Sequence, residues 1–451
     1  MVSHKNHEIS SIALYGICNM QLPESLNSRE KAEGLIHLVS KSVNIIDSAF
    51  ERLIRSLVTE NWFSKDAFEA IWAIYQDNIE NEHERYIALK IMRLGIWILP
   101  DIVIQKIKII QKHLDKEFKS KNPNYKYIKE WLLWIFKQSS DSREETDKLS
   151  IKAIKFMVET CGTCDKEWML VAETLINSLL NFRFFQSSVL GLMQTSKSGR
   201  KLKLNVSYGY EIVESFIEVL SSSITNSKQV KISENKLWNL IFIVGHFALK
   251  LEEFRQRIEV LLQSQVERSK VKNKKKNADE LDLITSREDA ELTADLEFLD
   301  KVIDKAINGG GIIFNHIPII KSVIIDLLET DVSSMSNLQY TWLVAFCKLM
   351  SSNRIFCKDN ISVFIQLLVC ERIKPHVLII SLADLYKKYP LIIEDYNESV
   401  FGLLHHPDLE TRIHIFNTLT HLVTSDMIRV KNLLAFICKF MYHKEDRDAI
   451  R

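Results

Sequence analysis

A chain of 451 residues is long enough for about three globular domains or for one continuous solenoid. Its 12 glycines and 7 prolines are too few for a loop-rich β protein, and the Leu, Ile, Lys, Glu and Phe that dominate it favour helix. A net charge of +1 excludes a whole-molecule field toward nucleic acid or membrane, no apolar run reaches the roughly 20 residues that cross a bilayer, and 7 scattered cysteines without a secretory leader point to free thiols in a reducing compartment.

The first thirty or so residues are polar apart from Ile12 to Ile17 and read as a partial repeat or a frayed end. From Arg29 onward helices follow one another. Ala49, Leu53, Leu57 and Val58 form one stripe, and Phe68, Ile71, Trp72 and Tyr75 form another. "ERYIALKIMRLGIWIL", Glu84 to Leu99, ends at Pro100. Trp131, Leu132, Trp134, Ile135 and Phe136 mark a strongly apolar helix, and Trp168 to Phe185 another. Aromatic stripes at helical spacing are core packing.

Residues 193–206, with Ser, Gly and basic residues, read as a loop. Helices resume at Tyr208, and Leu237 to Leu249 and Ile307 to Ile320 have the apolar runs of buried helices. His246, alone on the apolar helix Lys236 to Arg257, is expected to be a hydrogen-bonded core residue and not a ligand. The clearest break is at 265–295. There Arg268, Lys270, Lys272, Lys274, Lys275 and Lys276 precede the acidic run Asp279, Glu280, Asp282, Glu288, Asp289 and Glu291. Such blocks bury too little apolar surface to order themselves, so they read as a charged linker. Gly309-Gly310-Gly311 lacks the flanking strand and the Lys-Ser or Lys-Thr of a phosphate loop and reads as a hinge. The chain thus divides into an N-terminal helical arm (1–264), a linker (265–295) and a C-terminal helical arm (296–451).

The C-terminal arm is a stack of short helical hairpins. Leu378, Leu382 and Leu385 share a helix face, and Pro390 stops that helix. Phe401, Leu403 and Leu404 end the next, with a turn at His405-His406-Pro407. Asp408 is expected to cap a helix carrying Ile413, Phe416, Thr420 and Val423 on one side, with Arg412 pairing back to Asp408. Asp426 is expected to begin another, with Met427, Val430, Leu434, Ile437 and Met441 on its face. Similar elements recur at Asp359, Ile393 and Asp426, a spacing of about 33–35 residues that indicates an all-α superhelix of stacked helix pairs.

No catalytic signature emerges: G-x-S-x-G, Walker A and H-E-x-x-H are all absent from the sequence. Cys161-Gly162-Thr163-Cys164 is the single C-x-x-C, and it lacks both the strand of a redox site and a second ligand pair for zinc, so it reads as surface or half-buried thiols. His405, His406, His414 and His421 are numerous, but no nearby Cys pair or acidic triad completes a site. No cofactor and no metal are expected.

Several blocks together carry a resemblance. Ala383-Asp384-Leu385 with Tyr389-Pro390, Asp408 with Arg412, Thr420-His421-Leu422 and Asp426-Met427-Ile428-Arg429-Val430-Lys431 follow one another in the order found in the HEAT-repeat regulatory subunits of condensin. Glu84 to Leu99, Gly245-His246 with Ala248 and Lys250, Asp289-Ala290-Glu291-Leu292, and Phe356-Cys357 with Asn360 fall in place as well. The chain departs from the pattern at Ala383, at Ile373 to His376 and at Asn432-Leu433. It resembles the subunit 1 branch most, through "MIRVK", and the resemblance implies an incomplete chain lacking both ends.

The resemblance implies a HEAT-repeat scaffold without enzymatic activity. Such a scaffold would bind the kleisin subunit, contact the SMC ATPase heads and act on DNA in mitotic chromosome condensation, in the nucleus and on chromosomes, with no membrane and no small-molecule substrate. The alternatives are the paralogous subunit of the second condensin complex, another HEAT adaptor such as an SMC-complex loader or a nuclear transport receptor, or a thiol enzyme using Cys161 and Cys164. Turns stacked in register would align Arg372, Lys374, Lys387, Lys388, Arg429 and Lys431 as a basic strip for nucleic-acid contact. The basic linker Arg268 to Lys276 is the second candidate, also as a nuclear-import signal.

Overall fold

The computed structural model describes residues 27–41, 47–59, 64–77, 81–95, 100–138, 143–162, 166–180, 207–225, 234–273, 313–329, 337–370 and 375–440, with a few single positions between 290 and 311. Among them every regular element is helical. The chain is an all-α helical solenoid, divided into two compact units, 1–156 and 157–451. The loop expected at 193–206, the polar start of the chain up to Leu26, Lys274 to Lys276 and the acidic run to Asp289 lie outside the described residues, as do Gly309 and Gly310.

The first unit contains α1 (Ser28–Lys41), α2 (Asp47–Thr59), α3 (Lys65–Asp77), α4 (Glu82–Gly95), α5 (Pro100–Glu117), α6 (Tyr125–Gln138) and the start of α7 (Arg143–Glu159). Helix α4 packs on α1, α2, α3 and α6. Its second half, Ile87 to Leu94, is buried all round except at Lys90, as expected of a helix enclosed by neighbours. The stripe on α3 is as its spacing predicts: Phe68, Ile71, Trp72 and Tyr75 are buried. On α2 the buried set is Phe50, Leu53, Ile54 and Leu57.

The second unit is a two-row stack. It contains α8 (Lys166–Leu179), α9 (Ser207–Thr225), α10 (Glu234–Asn273), α11 (Ile317–Glu329), α12 (Asn337–Ser352), α13 (Arg354–Val369), α14 (His376–Lys388), α15 (Pro390–Ile393), α16 (Asn397–Gly402), α17 (Leu409–Thr424) and α18 (Val430–Phe440). Helices α8, α10, α12, α14 and α17 pack in succession along one row. Helices α11, α13, α16 and α18 pack in succession along the other, and α9 packs on α8 and α10. Each helix buries its apolar stripe against the next pair, which is how a solenoid makes a continuous core from units too small to have their own.

Helices α10 and α12 approach each other closely. A Cβ on Gly245 would lie 2.7 Å from Cα of Ala345. Gly245 therefore sets the distance between these two helices. Helix α10 is 40 residues long and runs through the expected linker start as far as Asn273. Its first half buries Leu240, Ile241, Ile243, Val244, Phe247, Ala248 and Leu251. The charged stretch 265–295 falls inside the second unit.

Two readings at the C-terminal end change. On α17 the buried stripe is Thr411, Ile415, Leu419 and Leu422, while Ile413, Phe416 and Val423 are half-buried and Thr420 is exposed. Thr411 can be buried because its hydroxyl donates to Asp408 Oδ2 at 2.7 Å. Asp426 has a φ of 56° and sits in a left-handed turn, so α18 begins four residues after it, at Val430. Leu433 is 1% exposed and Leu434 is 54% exposed, the reverse of the expected face.

Candidate nucleic-acid interface

The six residues of the basic strip have unequal surroundings. Lys387 is exposed in the last turn of α14, and Arg429 is exposed just ahead of α18. Arg372 and Lys374 lie outside the described residues, as does the side chain of Lys431. Lys388 is turned inward. Its Nζ donates to the carbonyl of Ser351 at 2.9 Å and stands 4.0 Å from the carboxylate of Glu252. Burial pulls its pKa down against the opposing pull of Glu252 and Asp384. Its ammonium thus already holds α14 to the end of α12.

Glu252 is the centre of that ionic group. It is buried on α10, accepts two bonds from Arg255, at 2.9 and 3.1 Å, and one from Gln256 at 2.9 Å. The side chains border a cavity of about 580 Å³ that is lined also by Glu259, Arg354 and Tyr389. Tyr389 donates to the same Ser351 carbonyl at 3.3 Å, and burial raises its pKa. Cations and carboxylates both line the cavity, so it offers no single-sign field to a phosphate chain. Of the second candidate, Arg268, Lys270 and Lys272 lie on the backbone of α10, and Lys274, Lys275 and Lys276 lie outside the described residues.

The cap before α17 is built as its sequence predicts. Asp408 caps α17, its carboxylate accepting from the backbone N–H of Thr411 at 2.9 Å. These bonds to Thr411 hold the Asp408 pKa below the usual carboxylate range. Arg412 donates from Nη1 to the carbonyls of His406 and Pro407, at 2.7 and 2.9 Å, and so braces the turn itself.

His246 is a core residue, as expected. It is 2% exposed, its Nε2 pairs with Asn177 Oδ1 at 2.9 Å, and its ring stacks on Phe242. Burial, helped by Lys348 and Lys250, lowers its pKa to about 3, so it is neutral at physiological pH. Cys161 is fully buried and not at the surface, and Cys164 lies outside the described residues. Burial raises the thiols of Cys347 and Cys357 to about 12, which leaves them without thiolate character at neutral pH.

One grouping is not evident from local sequence. His376 at the start of α14 meets Glu410 and His414 on α17, one repeat later. His376 Nε2 is 3.9 Å from Glu410 Oε2, and the two imidazole rings are 4.7 Å apart, edge to face.

No family profile matches the chain. Over 254 residues it is 22% identical to the condensin-1 complex subunit CAP-D2 of Arabidopsis thaliana. That similarity takes in 52% of this chain and 18% of the plant subunit, so the chain spans less than a fifth of the relative's length. A condensin-like helical-repeat subunit is thus the similarity supported, loosely and over half the chain. An engineered protein of known structure aligns along 93% of this chain and 96% of its own, at 14% identity and a TM-score of 0.24, a likeness that carries no argument. Among the described residues no helix is long and apolar enough to cross a membrane.

Proposed function

We propose that this protein is a non-catalytic scaffold subunit of a condensin-like SMC complex, acting in the nucleus on mitotic chromosomes. The observation that carries the reading is the similarity to a condensin subunit over half the chain, in a protein whose second unit stacks its helices in two rows. A stacked solenoid offers long ridges of turns and long grooves suited to an extended kleisin segment and to SMC ATPase heads. ATP hydrolysis then belongs to the SMC partners.

In this reading DNA is held by phosphate contacts from the exposed Lys387 and Arg429, joined by Arg372, Lys374 and Lys431. Lys388 is left out, because its ammonium is engaged by the Ser351 carbonyl and faces Glu252. The basic linker Arg268 to Lys276 is the second source of phosphate contacts.

The deciding experiment is co-purification of the chain with a kleisin fragment and SMC heads. A stable complex is expected, and an absence of association with either partner would overturn the scaffold reading. For DNA, replacing Arg372, Lys374, Lys387, Arg429 and Lys431 by Glu is expected to weaken duplex binding. It should also flatten the log–log salt slope by about 0.9 for each phosphate that is no longer neutralised. Unchanged affinity and slope would move DNA binding to the linker.

A further inference from the structure

The His376–Glu410–His414 cluster shares no residue with the contacts assigned above. His376 is the first residue of α14, and its helix is pinned there by the Ile379 N–H donating to the Pro375 carbonyl at 2.8 Å. Glu410 and His414 stand at i and i+4 on α17, the spacing that puts two side chains on one helix face a turn apart. Helices α14 and α17 pack directly on each other. The cluster therefore joins two consecutive repeats.

Its geometry brings three potential ligand atoms together. One ligand atom from each residue lies within 4.8 Å of the other two. Ligands on a tetrahedral zinc at about 2.0–2.1 Å stand roughly 3.3–3.5 Å from one another. Closing the difference takes an ångström or so of rotation, which the exposed side chains of Glu410 and His414 have room to make. The ring of His376 turns Nε2 toward α17. Its Nδ1 is buried and has no hydrogen-bond partner among the described residues, while Nε2 faces the Glu410 carboxylate. A surface ion pair needs one histidine and one carboxylate, and here a second imidazole converges on the same carboxylate. Two imidazoles and one carboxylate are the ligand types that suit zinc and its neighbours, in contrast to the all-oxygen sets of calcium and magnesium.

We propose that His376, Glu410 and His414 bind one divalent transition-metal ion of the zinc class, with water in the fourth position, and that this ion staples α14 to α17.

The test uses the full chain, stripped with a chelator and titrated with zinc chloride by calorimetry, with cobalt(II) as a spectroscopic probe. One zinc per chain and a rise in Tm with zinc are expected. The cobalt spectrum should lack thiolate charge-transfer bands, because the free cysteines, Cys438 among them, are not ligands. H414A and E410Q change exposed side chains and should leave the metal-free Tm unaltered. Each is expected to weaken zinc binding about tenfold or more and to abolish the Tm rise. The proposal is overturned if the stripped chain takes up no zinc at stoichiometric concentration. It is equally overturned if H376A/H414A binds as the parent does, or if cobalt binds through sulfur. None of these outcomes depends on whether the protein associates with SMC subunits.

Discussion

The two units solve the same packing problem with different materials. In residues 1–156 the neighbouring helices are tied by polar and aromatic groups. Arg93 of α4 and Glu130 of α6 form a fully buried ion pair, and the Tyr86 hydroxyl donates to the other oxygen of Glu130 at 3.2 Å. Trp131 donates to the Tyr75 hydroxyl at 3.2 Å, that hydroxyl pairs with His113 Nδ1 at 3.0 Å, and Arg85 lies over the rings of Tyr75 and Tyr127. In residues 157–451 the central contact is one of small residues: Gly245 lets α10 lie against Ala345 of α12. Its polar ties among the described residues are fewer and include His246 of α10 with Asn177 of α8 and Lys388 of α14 with the Ser351 carbonyl of α12. Polar ties fix register, because they are satisfied in one alignment only, whereas a small-residue contact fixes distance. The first unit should therefore be sensitive to removal of a partner and the second to added volume.

The sharpest way to break that contrast is at Glu130. Glu130→Ala removes the buried carboxylate that pairs with the Arg93 guanidinium and is expected to cost about 3–5 kcal/mol, read as a lower midpoint in denaturant melts. The double change Arg93→Met with Glu130→Leu removes both charges, and its expected cost is close to zero. A small effect of Glu130→Ala would show that the pair does not hold α4 to α6.

At Gly245 the sign of a familiar substitution reverses. Ala in place of a mid-helix Gly ordinarily stabilises by about 0.8–1.0 kcal/mol. Here the added methyl would meet the α12 backbone at 2.7 Å, so Gly245→Ala is expected to destabilise by about 1–3 kcal/mol. Adding Ala345→Gly should give only partial relief, because the nearest atom is the Cα of residue 345 and not its methyl. A stabilised Gly245→Ala would mean that α10 and α12 are not in close contact.

His246 makes the second unit sensitive to pH. Its pKa falls from the ordinary 6.5 to about 3 in the folded chain, because burial opposes its charge. Between those values the unfolded chain holds a proton that the folded chain does not, so folding stability is fullest above pH 6.5 and declines as the pH drops toward 3. The limiting slope for one such group is about 1.4 kcal/mol per pH unit. His246→Gln keeps a donor for Asn177 and removes the titration. Melts from pH 7 to pH 5 should then show a shallower decline than in the parent, and parallel curves would rule out His246 as the source.

Most of the fold was legible in the sequence, since burial follows the 3.6-residue period at Phe68 to Tyr75 and at Leu378 to Leu385. Misreadings arose where polar chemistry overrode that period. Thr411 reads as a surface residue until its hydroxyl is seen bonded to Asp408, and that shifted the buried face of α17 by a step. Asp426 reads as a helix cap, but its left-handed φ places it in the turn. Lys388 reads as a free surface charge, and only the neighbouring repeat reveals Ser351 and Glu252 beneath it. The histidine cluster was hidden for the same reason. His376 and Glu410 are one repeat period apart, a distance that is long along the chain and short between stacked hairpins.

The smallest expected effect tests whether a single turn is set locally. Asp408 caps α17 through the Thr411 N–H and also accepts from the Thr411 hydroxyl, which sits in the buried stripe. Asp408→Ala removes the cap and is expected to cost about 0.5–2 kcal/mol. Asp408→Asn keeps an acceptor for the N–H and should recover most of that. Because its bonds to Thr411 hold the Asp408 pKa below the ordinary value of 3.8, the carboxylate's contribution is present above that value. It disappears as the pH falls through the lower, folded value. Asp408→Asn should therefore flatten the acid end of the stability curve, and a cap that acted only through shape would leave that end unchanged.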